Sequence, residues 1–120
     1  MVDSDKILKF EVPVKKSGWL TRRSENLHMW RKRFYQLENN ILKIGEDENF
    51  KDLKIVDLAD YDIKWLDKFE KRYAMLFTAT NKNVKYKYIY LGDEAEAPGK
   101  ELYEKILVSL VTKSIQVLGY

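Results

Sequence analysis

The sequence predicts a mainly β domain, a small sandwich or barrel of seven strands with one helix at its C-terminal end. Three observations predict it. Seven short runs rich in β-branched and aromatic residues, separated by polar turns, fill the first three quarters of the chain. None of those runs has the periodicity of a helix. The last quarter changes period, with apolar residues at Leu102 or Tyr103, Ile106, Leu107, Leu110 and Val111, the i, i+3, i+4, i+7 stripe of an amphipathic helix.

Residues 17–23 and 30–37 are the first two strands, joined by the polar stretch SENLHM in a long-looped hairpin. The turn ENN at 38–40 leads into ILKI at 41–44, and GEDENFKD at 45–52 has the composition of a loop. Strands four and five are LKIVDL (53–58) and DIKWL (62–66), followed by an interruption at DKFEK. Strand six is RYAMLFTA (72–79), the most apolar of the set. After the turn TNKN, strand seven is VKYKYIYL (84–91), where Lys85 and Lys87 alternate with Tyr86, Tyr88 and Tyr90. Pro98 and Gly99 precede the helix, whose early Glu101 and Glu104 and late Lys113 suit its dipole. At about 1.5 Å per residue the helix reaches roughly 25 Å, enough to cover one end of a small barrel. Residues 1–14 read as a lead-in, and Ile7, Phe10, Val12 and Val14 in it suit an added strand or packing on the barrel.

With 120 residues, 45% hydrophobic and 13% aromatic, the chain has one core and room for only one domain. It contains no cysteine, which excludes disulfides and thiolate chemistry and fits a reducing compartment. Catalysis has no foothold: there is one histidine, His28, no glycine-rich phosphate loop and no Ser-His-Asp order. His28 has no partner histidine or cysteine, and the carboxylates of 45–52 lack calcium-loop spacing, so no metal and no cofactor is expected. Charge is unevenly spread. The formal net charge is +3, yet the stretch from Lys15 to Arg33 carries seven basic residues and one acid. One positive pole points to an anionic partner.

Within that pole, parity raises a question. A strand puts i and i+2 on one side of the sheet. Gly18 and Leu20, then Tyr35 and Leu37, read as the buried face, and Arg22, Arg31 and Arg33 fall on the same faces. Two motifs carry an answer, KSGWL at 16–20 and WRKRFYQL at 30–37. With the strand order and terminal helix, they make residues 15–118 resemble a pleckstrin homology (PH) domain. The resemblance implies two near-orthogonal antiparallel sheets in a barrel-like sandwich of seven strands, one C-terminal helix plugging one end, and an open rim at the other. It also implies that the inward faces of the first two strands leave the core before the strands end, so that Arg22, Arg31 and Arg33 line a pocket for acidic phospholipid headgroups. The family's helix carries a tryptophan facing the core; here the stripe puts Ile106 in that place, and Trp19 or Trp65 is expected to fill the volume.

Physically, a guanidinium fork suits a phosphate because it chelates bidentately and stays charged. Lys16, Arg23 and Lys32 are assigned by parity to the opposite faces, adding long-range attraction, with Lys43 and Lys82 as further rim candidates. A basic residue near an anionic leaflet is worth about 1 kcal/mol, so a +6 stretch supplies at most roughly 6 kcal/mol. Stable recruitment needs apolar insertion as well, for which the first loop offers Leu27 and Met29. The expected role is a peripheral membrane-targeting module that binds a phosphoinositide or phosphatidic acid at the cytoplasmic face of a membrane. The alternative is a protein-interaction domain with little lipid specificity. Nucleic acid is disfavoured as a partner.

Overall fold

The structure is a computed structural model; it describes residues 14–117, with side chains as far as residue 111. Strands β1 (Lys15–Arg23), β2 (Trp30–Glu38), β3 (Ile41–Gly45) and β4 (Lys54–Asp57) form an antiparallel meander. A short 3-10 turn, Leu58–Asp60, leads to β5 (Tyr61–Phe69), β6 (Arg72–Ala79) and β7 (Tyr88–Asp93), and the helix α1 runs from Glu96 to Val117. The seven strands and the terminal helix stand as the sequence predicts. The two sheets expected are the two halves of one hydrogen-bonded sheet, in the order β4-β3-β2-β1-β7-β6-β5. Their junction is narrow. Only Thr21 opposite Gly92 and Arg22 opposite Leu91 join β1 to β7, against nine pairs between β1 and β2.

The core explains the strand pattern. Leu20, Tyr35, Leu37, Leu42, Ile44 and Val56 from one half pack with Tyr61, Met75, Phe77, Ile89 and Leu91 from the other. The two halves therefore face each other across a single apolar interior, as in a sandwich. Leu102 and Ile106 of α1, both fully buried, complete it. Ile106 occupies the core-facing place the stripe gives it. Trp65 sits beside the helix, its ring 5.4 Å from that of Tyr103. Trp19 does not fill the interior. It lies on the outer face of β1, edge-on to Phe34 at 5.2 Å.

Local departures have physical causes. β7 starts at Tyr88, four residues later than its alternation suggests, because residues 84–87 close the long loop: the Ala79 amide donates to the Lys87 carbonyl. β5 runs through DKF to Phe69 by means of a register shift between Leu66 and Phe69. Glu70 and Lys71, with φ of 51° and 65°, then make a tight left-handed turn into β6. The helix begins two residues before Pro98, which the first turn tolerates because its missing N–H has no intrahelical role there. Val14 is buried, and its carbonyl accepts from the Asn39 amide. Ile7, Phe10 and Val12 lie outside the described residues.

Candidate anion-binding cleft

The rim forms where inner faces outrun the core. On β1, Leu20 is buried and Arg22 follows it; on β2, Arg31 and Arg33 precede Tyr35 and Leu37. Register makes these true neighbours: Arg22 lies directly opposite Arg31, and Leu20 opposite Arg33. Like charges placed opposite each other destabilise a strand pair. Their arrangement here is in a shared cleft of about 340 Å³, lined by Arg22, Ser24, Glu25, Asn26, Leu27, Arg31, Arg33 and Tyr86. The three guanidinium groups singled out by parity thus meet at one opening.

Arg22 is the deepest of them. Desolvation by burial pulls its pKa down, an effect opposed by the negative charge of Glu25 and, more weakly, of Asp52. Its Nε is buried and has no hydrogen-bond partner among the described residues. Its guanidinium carbon lies 5.6 Å from the centre of the Tyr86 ring. Arg33 donates from Nη1 to the Lys32 carbonyl at 2.9 Å, and Arg31 is exposed. A cleft of this kind offers strong donors, and Glu25 is the one acid lining it.

The remaining basic residues go elsewhere. Lys16, assigned by parity to the outer face, lies opposite Leu37 and so on the inner side, at the far end of β1. There it pairs with Glu101 of α1 at 3.3 Å. Arg23 does point outward, and Glu70 holds it: Nε lies 3.0 and 3.1 Å from the two carboxylate oxygens and Nη2 2.8 Å from Oε2. The same carboxylate accepts from Trp30 Nε1 at 2.9 Å, and Arg23 packs over Phe69 and Tyr90. Lys32 sits over Trp19 and Lys43 over Phe50, both away from the cleft on the outer face. Lys82 is exposed in the 80–87 loop, where its carbonyl accepts from Lys87 Nζ.

Two cations that parity alone did not bring forward stand near Tyr86, a residue of the cleft wall. Lys54 follows the rule that picked Arg22: it lies two residues from buried Val56 on β4, so it leaves the core on the same side. Its Nζ is 5.9 Å from the centre of Tyr86 and 3.4 Å from Asp52. Lys85, in the loop, is 5.5 Å from the same ring.

The first loop presents Leu27 and Met29, which are 67% and 48% exposed. Its ends are tied together, since the Ser24 amide donates to the Met29 carbonyl and the Met29 amide to Ser24 Oγ. On the outer side of that loop is a second cleft of about 300 Å³, lined by Arg23, Lys85, Lys87, Tyr88 and Tyr90 with Ser24 and Glu25. Its cations are committed: Arg23 to Glu70, Lys87 to the Lys82 carbonyl and Lys85 to Tyr86.

The Glu70 clasp carries a pH prediction. Hydrogen bonds from Arg23, then from Trp30, hold its carboxyl below the ordinary value of 4.5. A depressed carboxylate pKa stabilises the fold fully above 4.5 and ceases to do so as pH falls through the lowered value. Glu70→Gln should therefore lower the melting temperature at neutral pH, and the gap to wild type should close on acidification below 4.5. A gap independent of pH would remove the clasp's electrostatic role.

Among the described residues no group of His, Cys, Asp and Glu is placed to hold a metal ion, and no helix is long and apolar enough to cross a membrane. No protein-family model and no curated protein matches the sequence. A solved structure does match the fold: the solution structure of the PH domain of human pleckstrin homology domain-containing protein family A member 5. It is similar with a TM-score of 0.64 at 19% identity, covering 82% of this chain and 77% of that one. The strand order, the single C-terminal helix and this similarity together show that the chain has a PH-like fold.

Proposed function

We propose that the protein is a non-catalytic, peripheral membrane-targeting module whose Arg22–Arg31–Arg33 cleft takes an acidic phospholipid headgroup, either a phosphoinositide or phosphatidic acid. The observation that carries this reading is the shared cleft itself, with three guanidinium groups and a buried Nε of Arg22 that no described residue satisfies. A phosphate is the complement such a site lacks. Leu27 lines the same opening and Met29 is exposed in the same loop, so headgroup capture and insertion would act from one side of the molecule. Full burial of each would add about 1.5–3 kcal/mol. Lys32 and Lys43, away from the cleft, and Lys16 and Arg23, already ion-paired, add long-range attraction only. The setting is the cytoplasmic face of a membrane, where the leaflet is anionic.

The test is a vesicle titration with phosphatidic acid, phosphatidylserine and a phosphoinositide at matched surface charge. Wild type should bind, and Arg31→Ala combined with Arg33→Ala should weaken binding about tenfold or more, since hydrogen bonds to charged groups are worth roughly 1.5–3 kcal/mol each. Absence of lipid-dependent binding, or binding untouched by the double substitution, sinks the reading. Preference for one headgroup indicates a shaped site, and equal binding to all three a charge sensor. A protein-interaction role draws on a different surface, the outward Leu107, Val108 and Val111 of α1. Recovery of a soluble partner equally well by the double arginine variant would favour it.

A further inference from the structure

Tyr86 lies in the 80–87 loop, outside every strand, yet three cations from three parts of the chain gather at its ring. Arg22 comes from β1 at 5.6 Å, Lys54 from β4 at 5.9 Å and Lys85 from the loop at 5.5 Å from the ring centre. These distances are within the range at which an aromatic face attracts a cation. The backbone that carries the ring is also tied down. The Tyr61 hydroxyl donates to the Tyr86 carbonyl at 2.6 Å, and Tyr61 is itself buried against Phe77. A loop residue is thereby tied to the core at the point where the core gives way to the rim.

We propose that Tyr86 is the positioning residue of the cleft, orienting Arg22 through its ring and holding Lys54 and Lys85 beside a site otherwise built from the first hairpin. The inference deepens the headgroup reading and rests on it for its binding consequence. The need for such a residue follows from Arg22. A long side chain with several rotamers loses much freedom when ordered, and the charge of Arg33 repels it. No described residue satisfies its Nε, so hydrogen bonding there does not hold it. The Tyr86 ring adds a fixed, short-range partner to the attraction of Glu25 and Asp52. Asp52 takes part of the charge of Lys54, leaving the ring to set where that ammonium points.

The ring, not the hydroxyl, does this work, which makes the conservative variant diagnostic. In the ligand-free protein, the Arg22 side-chain Nε–H signal should be shifted by the ring and slow to exchange. Tyr86→Phe should preserve that signal and bind phosphatidic acid or phosphoinositide vesicles within about twofold of wild type, whereas Tyr86→Leu should lose it and bind about fivefold more weakly. Tyr61→Phe, which leaves the ring in place but releases its anchor, should fall between them and serves if Tyr86→Leu does not fold. Adding Arg22→Ala to Tyr86→Leu should cost less than Arg22→Ala alone, because the two act as a unit. Loss of binding in Tyr86→Phe as large as in Tyr86→Leu, or an Arg22 signal indifferent to the ring, overturns the proposal. Wild type that ignores all vesicles while its Arg22 signal follows the ring overturns the headgroup reading and leaves the positioning role standing.

Discussion

Gly92→Ala should lower the stability of the domain by about 3 kcal/mol or more, at the upper end of what overpacking costs, and should weaken the anion cleft at the same time. A Cβ at this position would lie 2.3 Å from the Tyr73 carbonyl oxygen, 2.6 Å from Ala74 Cα and 2.8 Å from Ala74 Cβ. The first two are backbone atoms, so no rotamer change relieves the clash. The strand itself would have to move. Gly92 pairs with Ala74 on one side and Thr21 on the other, and its carbonyl accepts from Thr21 Oγ1 at 2.7 Å. It is one of the two β7 residues that join the halves of the sheet, and the other junction pair is Leu91 with Arg22. Displacing β7 therefore shifts the strand position from which Arg22 reaches the rim. Gly18→Ala is the control. The atoms nearest its Cβ would be the Tyr35 ring and hydroxyl, at 3.2–3.4 Å, side-chain atoms from which a shift of only a few tenths of an ångström is required. Chemical denaturation of the two variants should separate them clearly. Equal losses would mean that the β1–β7 junction is not the tight point of the fold.

The reach of the sequence can be judged residue by residue. A period of two is local information, so it placed Leu20, Tyr35 and Leu37 inside and carried Arg22, Arg31 and Arg33 to the rim. The same rule holds for Lys54, two residues from Val56, on a short strand that has no run of basic residues to mark it. Counted from Leu20, it also contained the inner face of Lys16. Pairings across the sheet were another matter. Glu70 lies 47 residues from Arg23 in sequence, and nothing local connects them. The link between Lys16 and Glu101 likewise depends on where α1 docks. Nor could alternation alone locate the start of β7, because the lysine and tyrosine pattern of 84–87 satisfies strand and loop equally. The consequence for the site is direct: its arginines were legible, while the ring that gathers the cations, Tyr86, reads in sequence as one more strand aromatic. Gly92 shows the same limit for the fold, since its role depends on Tyr73 and Ala74 of a neighbouring strand.

Arg22→Met should stabilise the free protein and disable the cleft in the same step. The guanidinium of Arg22 is partly withdrawn from water, with its pKa pulled down chiefly by that burial. Its Nε has no partner among the described residues, and the charge of Arg33 works against its own. An unsatisfied buried donor costs about 1–3 kcal/mol. Methionine keeps a long, unbranched, flexible chain in the same space and removes both the orphaned donor and the repulsion. Part of the gain is offset by the lost attraction to Glu25 and to the Tyr86 ring, the latter worth about 0.5–1 kcal/mol where exposed and more where desolvated. The expected net is a gain of about 1 kcal/mol, read as a melting temperature several degrees higher. Binding to anionic vesicles should fall at least about tenfold, because the deepest fork of the site is gone. Arg31→Met supplies the contrast. That residue is exposed, so its replacement should weaken binding without a comparable gain in stability. Opposite signs for stability and binding at Arg22 are the mark of a residue retained for its ligand at the expense of the fold. Were Arg22→Met to destabilise the protein, Arg22 would belong to its structural framework, and the cleft would have to draw its affinity from Arg31 and Arg33 alone.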